Sequence, residues 1–518
     1  MAADPPSSTD ILVIGGGPAG AYSAAALARE GFQVTLLEKE TFPRYHIGES
    51  MLPSARSFLK FIDAEDKVKN FGFTLKVGAA VKLNQHKREG YTDFIAGGRD
   101  KAAWNVVRSE FDDIVFKHAA ESGASVHDGV RVTEIKFSTD NPKKPIAAGW
   151  KSDQGSGEIK FSWLVDASGR NGIMSTRYLK NRKFNQALKN VAVWGYFEGG
   201  GMYGVGTRRE NAPWFEALTD ETGWAWYIPL HKGRVSVGVV VSETSHRTKK
   251  EQQPDLKAHY LSQLQLTPGL VKLLGDARLV SDIESAGDYS YSASGNQYAG
   301  PNFRIAGDAG AFIDPVFSSG VHLAFTGGLS AATTICASIR GHCTEEEAIM
   351  FHNQKIAVSY TRFLLVVLGV YRQIQSQDAP VFSDINEDNF DRAFDFLRPV
   401  IQGTADTDPS DITESLIQKT MDFCSGALAP TTPEMHERVS KRLDPSLMAG
   451  NGPLLPPHAL SEATRDDEEA KDVLDRINSR KAINGMYNWA ENFEGDNLNG
   501  FSVVLKRGSL GLERNSVN

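Results

Sequence analysis

The sequence predicts an α/β fold with three parts: a discontinuous α/β lobe, an inserted and mostly antiparallel β-sheet lobe, and a helical C-terminal region. Strand-like and helix-like patterns alternate from the start of the chain to about Gly78, and the pattern returns at residues 303–308. Beyond Gly320 the apolar residues follow helical spacing. Between these parts, apolar runs with strand character occur at residues 191–197, 223–229 and 234–241.

These patterns also give the boundaries of the predicted lobes. The first lobe comprises residues 1–78, 100–190 and 284–345, the inserted sheet comprises residues 79–99 and 191–283, and the helical region comprises residues 346–518. A helix is expected to begin near Ser109, which precedes an acidic first turn. We therefore expect the first lobe to be assembled from three separate stretches of chain.

The first turn of the chain has the spacing of a dinucleotide-binding site. An apolar run at residues 11–14 precedes the glycines, and an acid ends a second apolar run about 20 residues later. Gly15 supports the tight bend, Gly17 lets the backbone approach a pyrophosphate, and Gly20 lets the helix pack closely on the strand. Proline suits a first helical turn, whose unpaired N–H groups attract phosphate. We predict a Rossmann-like lobe that holds FAD or NAD through Gly15, Gly17, Pro18, Ala19, Gly20 and Glu38, with Glu38 accepting hydrogen bonds from ribose hydroxyls.

A second GxGxxG pattern, at Gly199, Gly201 and Gly204, is predicted to be a loop because no apolar helical periodicity follows it. The sequence therefore offers one dinucleotide site. A protein that holds FAD there must obtain its electrons from elsewhere.

Composition favours small-molecule chemistry. The chain has 518 residues and a net charge of -8, which argues against a nucleic-acid partner or an anionic membrane surface. Its 3 cysteines have no metal-ligand spacing, so we expect neither a metal site nor a disulfide framework. There is no signal-like N-terminal segment, and the longest apolar run, residues 363–371, is too short to span a bilayer. These features predict a cytoplasmic protein.

Three distant segments resemble the FAD-binding segments of the aromatic-hydroxylase-like flavoproteins. They are Trp-Asn-Val-Val-Arg-Ser-Glu-Phe-Asp at 104–112, Leu-Val-Asp-Ala-Ser-Gly-Arg at 164–170 and Arg-Ile-Ala-Gly-Asp-Ala-Gly at 304–310. The resemblance implies that Arg108 lies along the flavin, that Asp308 meets its ribityl or pyrophosphate part and that Asp166 supports the adenine side. A surface charge for Arg108 and a helix cap for Asp308 are the alternatives.

Further motifs are similar to those of the flavin-dependent halogenases. Residues 223–229 contain W-x-W-x-I-P, residues 314–322 resemble the segment at the flavin ring, and residues 42–50 resemble an early active-site loop. The chain most resembles the fungal free-standing halogenases of phenolic polyketides, of the radicicol resorcylic-lactone type. This resemblance implies that Arg44 and Ser50, and also Gly320 and Val321, bind FAD.

The tryptophans and the start of the C-terminal helices suggest two further parts of an active site. On a strand, Trp224 and Trp226 lie on one side and form an apolar wall between flavin and substrate, although a core ladder of aromatic residues is the alternative. The N–H groups of Ser319 and Gly320 lie at a predicted helix N-terminus, which attracts an anion, and we expect chloride or the anionic edge of the flavin there. A serine cap without a ligand is the alternative.

Lys76 matches the lysine of the halogenase pattern. A lone lysine on a strand is otherwise solvated, but burial would lower the pKa of its amine and make it a nucleophile or a directed donor near neutral pH. The resemblance implies that a separate NAD(P)H-dependent flavin reductase supplies FADH2, which with O2 and chloride or bromide yields hypohalous acid. Lys76 then forms a chloramine or hydrogen-bonds the acid, and a free phenolic substrate is halogenated beside its hydroxyl.

Other assignments stay open at this stage. Phe317 stands where tryptophan halogenases usually carry glutamate, which favours a phenolic over an indole substrate. His322 and His231 are candidates for the base that deprotonates the phenol. Residues 363–371 and Phe390, Phe394 and Phe396 either line a substrate pocket or pack in the core. Rival functions on the same scaffold are a phenol hydroxylase, a flavin-dependent reductase and a Rab-escort type of binding module without flavin.

Overall fold

The computed structural model describes residues 4–86, 89–95, 98–377, 433–449, 455, 457–465, 467–475, 477 and 498–515. Most strands within these residues belong to two large β-sheets. The strands are β1 (Ser8–Ile14), β2 (Val34–Leu37), β3 (Thr74–Lys76), β4 (Gly78–Lys82), β5 (Gly90–Asp93), β6 (Ala103–Asn105), β7 (Ser125–His127), β8 (Arg131–Phe137), β9 (Pro145–Lys151), β10 (Ser156–Asp166), β11 (Arg182–Glu198), β12 (Trp214–Ala217), β13 (Gly223–Pro229), β14 (Arg234–Ser242), β15 (Arg278–Leu279), β16 (Glu284–Ala293), β17 (Ala299–Gly300), β18 (Phe303–Ile305), β19 (Phe501–Val504) and β20 (Gly511–Arg514). The helices are α1 (Pro18–Arg29), α2 (Ser54–Phe61), α3 (Glu65–Phe71), α4 (Arg108–Glu121), α5 (Glu243–Lys250), α6 (Leu256–Leu264), α7 (Pro268–Leu274), α8 (Gly320–Arg340), α9 (Glu345–Ile374), α10 (Pro433–Ser440), α11 (Pro445–Met448) and α12 (Pro457–Thr464).

The first sheet is the parallel sheet expected of a Rossmann-like lobe. Its strands lie in the order β17-β18-β10-β1-β2-β7, and β1 pairs in parallel with both β10 and β2. Ile11, Leu12 and Val13 of β1 are all fully buried, because helices or strands cover both faces of the sheet. The alanine-rich α1 packs against this sheet with α8, and the carboxyl ends of β1 and β2 meet at one edge.

The second sheet is mostly antiparallel, as the alternating apolar runs predict. Its order is β15-β11-β14-β13-β12-β4-β5, with β16 paired to β11. Residue Trp226 of β13 lies opposite Gly238 of β14. A Cβ atom at Gly238 would lie 2.2 Å from the indole ring, so the glycine makes room for that ring. The fold class expected from the sequence, an α/β protein with an inserted β-sheet, is therefore observed.

Strand boundaries differ from the predicted lobe boundaries in two places. β11 begins at Arg182 and β16 pairs with it, so residues 182–190 and 284–293 lie in the second sheet rather than in the first lobe. Both segments are rich in polar residues and contain no apolar run, which is why strand patterns failed to mark them. The division into lobes with these corrected limits is our proposal.

The C-terminal region is not wholly helical. β19 and β20 form a hairpin, and its residues Phe501, Val503 and Leu512 are buried in the same apolar core as α8. Arg340 at the end of α8 donates a hydrogen bond to Leu510 O, 2.6 Å away. The end of the chain thus packs onto the first lobe, a contact that no short-range pattern predicts.

None of the helices described is long and apolar enough to cross a membrane. Across the same residues, no cluster of three or more histidine, cysteine, aspartate or glutamate side chains has the arrangement of a metal site.

Candidate active site

A cavity of about 590 Å³ is lined by both sheets and by the start of α8. The edge of the first sheet supplies the glycine turn and the acid that follows it, and the second sheet supplies aromatic side chains. Thirteen predicted site residues line it, which are Gly15, Gly17, Pro18, Ala19, Glu38, Arg44, Ser50, Arg108, Trp224, Trp226, Asp308, Gly320 and Val321. Residues that are far apart in the sequence therefore line the same cavity.

The glycine turn has the close backbone contacts that its spacing predicts. Gly15 has a φ of 102°, and a Cβ atom there would lie 2.2 Å from Ala167 O. At Gly20, which does not line the cavity, a Cβ atom would lie 1.8 Å from Gly15 O. Gly20 thus acts through packing, because only a residue without a side chain lets α1 approach the turn this closely.

Glu38 stands at the end of β2 and closes the turn. Its Oε2 accepts a hydrogen bond from Gly16 N at 2.6 Å, and its Oε1 accepts one from Glu40 N at 2.9 Å. The carboxylate is buried and lines the cavity. Each oxygen keeps a second lone pair, which is available to a hydroxyl group in the cavity.

Arg108 is not a surface charge. Its guanidinium is buried and donates to both carboxylate oxygens of Asp112, at 2.8 and 3.0 Å, while Arg44 donates to the same carboxylate at 2.9 Å. Burial alone would raise the pKa of Asp112, but the field and hydrogen bonds of Arg108 outweigh burial and lower that pKa. Asp112 therefore stays ionised and fixes two cationic side chains on the cavity wall. Sequence analysis missed Asp112, although its position four residues after Arg108 on α4 is a detectable signal.

The two other predicted aspartates differ in their positions. Asp308 lines the cavity at the turn after β18. Asp166 does not itself line the cavity, although Ala167 to Gly169 do, and its role in supporting the adenine side of the cofactor stays a prediction. Its two oxygens accept hydrogen bonds from Ser168 N at 3.1 Å and Met174 N at 2.7 Å, so it shapes the turn that follows β10.

The residues of this cavity fit FAD. Gly17 lines the cavity, and a Cβ atom there would project toward Arg44 Nη2 at 3.4 Å, so the missing side chain leaves room beside the turn. Arg44 and Arg108 beside the turn suit a pyrophosphate. Ser50 also lines the cavity, and its buried Oγ has no hydrogen-bond partner among the residues described. An unpaired buried hydroxyl is costly unless a ligand satisfies it.

Lys76 is buried at the end of β3, with 1% of its surface exposed. Its Nζ donates to Met51 O at 2.9 Å and to Ser318 Oγ at 3.3 Å, and it lies 5.1 Å from the centre of the Phe94 ring. Burial lowers the pKa of this amine from 10.5 to about 7. Lys76 itself does not line the cavity, but Ser318 does. One hydroxyl group therefore connects the amine to the cavity.

The chain turns sharply just before α8. Ser318 has a φ of 57°, a left-handed conformation that costs free energy in a serine. Ser319 precedes the first residue of α8 and is fully buried, and its Oγ has no hydrogen-bond partner within the described part of the chain. Ser319 itself does not line the cavity, whereas its neighbours Ser318 and Gly320 do, and the halide site at Ser319 and Gly320 stays a prediction.

Trp224 and Trp226 both line the cavity, with ring centres 5.8 Å apart. Their Nε1 atoms donate to Tyr371 OH at 2.9 Å and Ser236 Oγ at 3.1 Å. These bonds satisfy the indoles and fix their orientation. Tyr371 belongs to the apolar run 363–371 of α9, which packs against the tryptophans in a core cluster and does not line the cavity. Phe390, Phe394 and Phe396 lie outside the described residues.

Neither candidate histidine lines the cavity. His322 is buried with Nδ1 2.8 Å from Ser54 Oγ, and burial lowers the pKa of this histidine to about 3. His231 Nε2 lies 2.9 Å from Glu110 Oε2. Both side chains thus have structural partners of their own.

Comparison with known proteins gives consistent matches. The tryptophan halogenase family model matches residues 10–100 and 99–411. The flavin-dependent halogenase armH1 of Armillaria mellea is 60% identical over 520 residues, covering 98% of this chain and 99% of that protein. The sulochrin halogenase gedL of Aspergillus terreus is 47% identical over 529 residues, covering 98% of this chain and 94% of that protein. Among solved structures, the myxobacterial chondrochloren halogenase CndH, described as a variant of FAD-dependent halogenases, matches with a TM-score of 0.65 and 27% identity, covering 82% of this chain and 98% of that one.

Proposed function

Because the chain belongs to the tryptophan halogenase family and is a flavin-dependent halogenase, we propose that it halogenates an electron-rich phenolic ring of a small polyketide-type molecule under the guidance of Lys76. The observation that carries this proposal is the buried amine of Lys76, which donates to Ser318 on the cavity wall. Among the described residues, the hydrogen-bond partners of Lys76 are Met51 O and Ser318 Oγ, which are uncharged, and burying an amine in this way is costly, which supports a chemical role.

FAD is the cofactor that the family uses. When bound and reduced, it would supply the electrons with which O2 converts a halide into hypohalous acid. The glycine turn and the pair Arg44 and Arg108 would hold its pyrophosphate, and Glu38 its ribose. Family members depend on a reductase, and we propose a separate NAD(P)H-dependent flavin reductase as the partner.

The start of α8 is the proposed binding site of the halide. The first N–H groups of a helix have no partner within the helix, and its dipole favours an anion. Gly320 and Val321 line the cavity at this point, and Ser318 adds a hydroxyl group. We propose that chloride or bromide binds here, beside the flavin ring.

The tryptophan wall and Lys76 would separate the formation of the oxidant from its use. Trp224 and Trp226 form an apolar surface that keeps a phenol away from the flavin. Because the pKa of Lys76 is near 7, a large fraction of the amine is neutral at that pH. A neutral amine can form a chloramine, and either protonation state can hydrogen-bond hypohalous acid and direct it to the ring.

A phenolic substrate is supported by two arguments. An electrophilic halogen reacts fastest with a ring that carries an electron-donating hydroxyl group, and the position before Ser318 is Phe317 rather than an acid. A relative at 47% identity is named for a small molecule, sulochrin. We propose that the substrate is free and is not attached to a carrier protein.

The test is to incubate the chain with FAD, a flavin reductase, NADH, O2 and a panel of phenolic lactones, anthraquinones and indoles, with chloride or bromide. We expect mass spectra in which a phenol gains one halogen, with the isotope pattern of the halide supplied. A phenol that gains one oxygen whether or not halide is present would instead indicate a hydroxylase, and halogenation confined to indoles would contradict the phenolic assignment.

A further inference from the structure

A hydrogen-bonded chain of three side chains runs from the cavity wall to an exposed tyrosine. Glu49 lines the cavity with 3% of its surface exposed, and its Oε1 accepts a hydrogen bond from Tyr196 OH at 2.8 Å. Tyr196 OH lies 3.1 Å from Tyr45 OH, and Tyr45 is 51% exposed. Trp194 Nε1 donates to Tyr45 OH at 2.6 Å and so orients it. Tyr45 also lines the cavity, so the chain connects the buried carboxyl group of Glu49 to a solvent-exposed hydroxyl group at another point of the cavity wall.

Halogenation consumes a proton, and this requirement follows from the balance of the reaction. One aromatic C–H bond, one halide, one O2, one FADH2 and one proton give one C–X bond, two water molecules and FAD. FADH2 loses two electrons on becoming FAD, the replacement of C–H by C–X removes two more from the aromatic carbon, and these four electrons reduce O2 to two water molecules. A site that excludes water from the oxidant therefore still needs a route for one proton per turnover.

We propose that Glu49 is the proton donor of the cavity and that Tyr196 and Tyr45 return its proton from solvent. This inference rests on the proposed function. The O–H bond at Glu49 Oε2 breaks, and the proton goes to an oxygen atom derived from O2 that leaves as water. Tyr196 then gives its proton to Oε1, Tyr45 gives its proton to Tyr196, and water restores Tyr45. A half-turn of the carboxyl group about its Cγ–Cδ bond then brings the new O–H bond to the cavity side.

The position of Glu49 suits a donor. Its Oε2 is buried and has no hydrogen-bond partner among the residues described, whereas Oε1 is occupied by Tyr196. The backbone is fixed on either side, because Val106 N donates to Glu49 O at 2.7 Å and Arg108 donates to Gly48 O at 3.2 Å. One oxygen is therefore held in the relay and the other is available to the cavity.

The surroundings of Glu49 bring the pKa of its carboxyl group close to neutral pH. Burial raises its pKa to about 7, against the opposing effects of hydroxyl groups on Ser236 and Tyr196 and of the charge of Arg108. The effect of Arg108 is weakened because that guanidinium is paired with Asp112. Glu49 is therefore largely protonated below about pH 7 and ionised above it. A general acid works best when its pKa lies near the working pH.

The test uses Glu49→Gln and Tyr196→Phe, with Glu89→Gln and Tyr203→Phe as matched controls. Tyr203 OH donates to Glu89 Oε1 at 2.9 Å, so this pair has the same chemistry in the same sheet region, and neither residue lines the cavity. We expect Glu49→Gln to bind FAD as wild type does and to give about 100-fold less halogenated product per NADH consumed. Tyr196→Phe should show a smaller loss of halogenated product, because Glu49 is still present but is reprotonated more slowly. Both controls should match wild type.

A second readout does not depend on turnover. Burial also raises the pKa of other carboxyl groups, among them Asp288 and Asp314, so the infrared signal of Glu49 is read from the difference between wild type and Glu49→Gln. In the flavin-free protein, this difference spectrum should contain the carbonyl band of one protonated carboxylic acid that disappears as pH rises through about 7. In the enzyme, the halogenation rate of wild type should decrease as pH rises through the same range. The rate of the Glu49→Gln variant should not change with pH there.

Several results would overturn the relay. One is a Glu49→Gln variant that halogenates as wild type does, and another is a difference spectrum between wild type and this variant that shows no carbonyl transition near pH 7. Equal losses in Tyr196→Phe and Tyr203→Phe would also contradict it, because they would indicate a general effect of losing a tyrosine hydroxyl. If wild type itself makes no halogenated product, the proposed function fails, whereas the infrared titration still reports on Glu49.

Discussion

Replacing Lys76 with methionine should abolish halogenation while leaving FAD binding and NADH-dependent O2 consumption close to wild type. The amine is the buried cationic group one hydroxyl away from the cavity, and methionine fills its volume without a nitrogen atom. Loss of the group that directs a reactive species typically costs at least about 100-fold in rate. The measurement is halogenated phenol by mass spectrometry, alongside NADH oxidation and flavin absorbance.

The matched control is Lys82→Met, which changes a partly exposed lysine on the neighbouring strand β4 and should leave halogenation intact. Substantial halogenation by Lys76→Met would remove Lys76 from the mechanism. Loss of FAD binding in that variant would instead give Lys76 a structural role.

Folding of Lys76→Met can be checked independently through its pH dependence. The pKa of Lys76 is about 7 in the folded chain and 10.5 when the side chain is solvated. The unfolded chain therefore holds an extra proton between these two values, and wild-type stability rises with pH through this window. We expect the methionine variant to melt at a higher temperature than wild type at pH 7 and below, with a smaller difference at pH 10.

Replacing Gly20 with valine should eliminate FAD binding. A Cβ atom at this position would lie 1.8 Å from Gly15 O, which is backbone and cannot move aside without opening the turn. Because the clash would separate α1 from the turn after β1, where we propose that the pyrophosphate binds, we also expect a loss of several kcal/mol in the free energy of unfolding. The measurement is FAD affinity from flavin fluorescence, together with thermal unfolding.

Gly155→Val serves as the comparison for this substitution. A Cβ atom at Gly155 has no neighbour within 4 Å, so this variant should bind FAD and unfold as wild type does. A Gly20→Val protein that binds FAD normally would show that the close approach of α1 to the turn is not needed for the cofactor.

The sequence was most informative where function depends on local backbone geometry. The glycine spacing and the acid at residue 38 identify the turn because each residue type meets a steric or hydrogen-bonding need that is set within about 20 residues. Alternation along β13 likewise predicts that Trp224 and Trp226 share one face, and both line the cavity. Such features depend on periodicity, which a single sequence displays.

Long-range contacts were not predictable in the same way. Ser318 meets Lys76 across 242 residues, and Tyr196 meets Glu49 across 147 residues. The packing of the two sheets brings these groups together. The spacing of residues along the sequence does not predict such contacts. Asp166 and Ser319 stand directly beside residues that line the cavity without lining it themselves, since a motif gives the neighbourhood of a residue but not the direction of its side chain.

We propose that the oxidant passes from the flavin cavity to Lys76 inside the protein. The most direct test is to run wild-type halogenation in the presence of excess scavenger of hypohalous acid that is too large to enter the cavity. We expect the yield of halogenated phenol to stay unchanged, because on this path the oxidant does not enter bulk solvent before it reaches the substrate. A yield that falls in proportion to the scavenger concentration would contradict it.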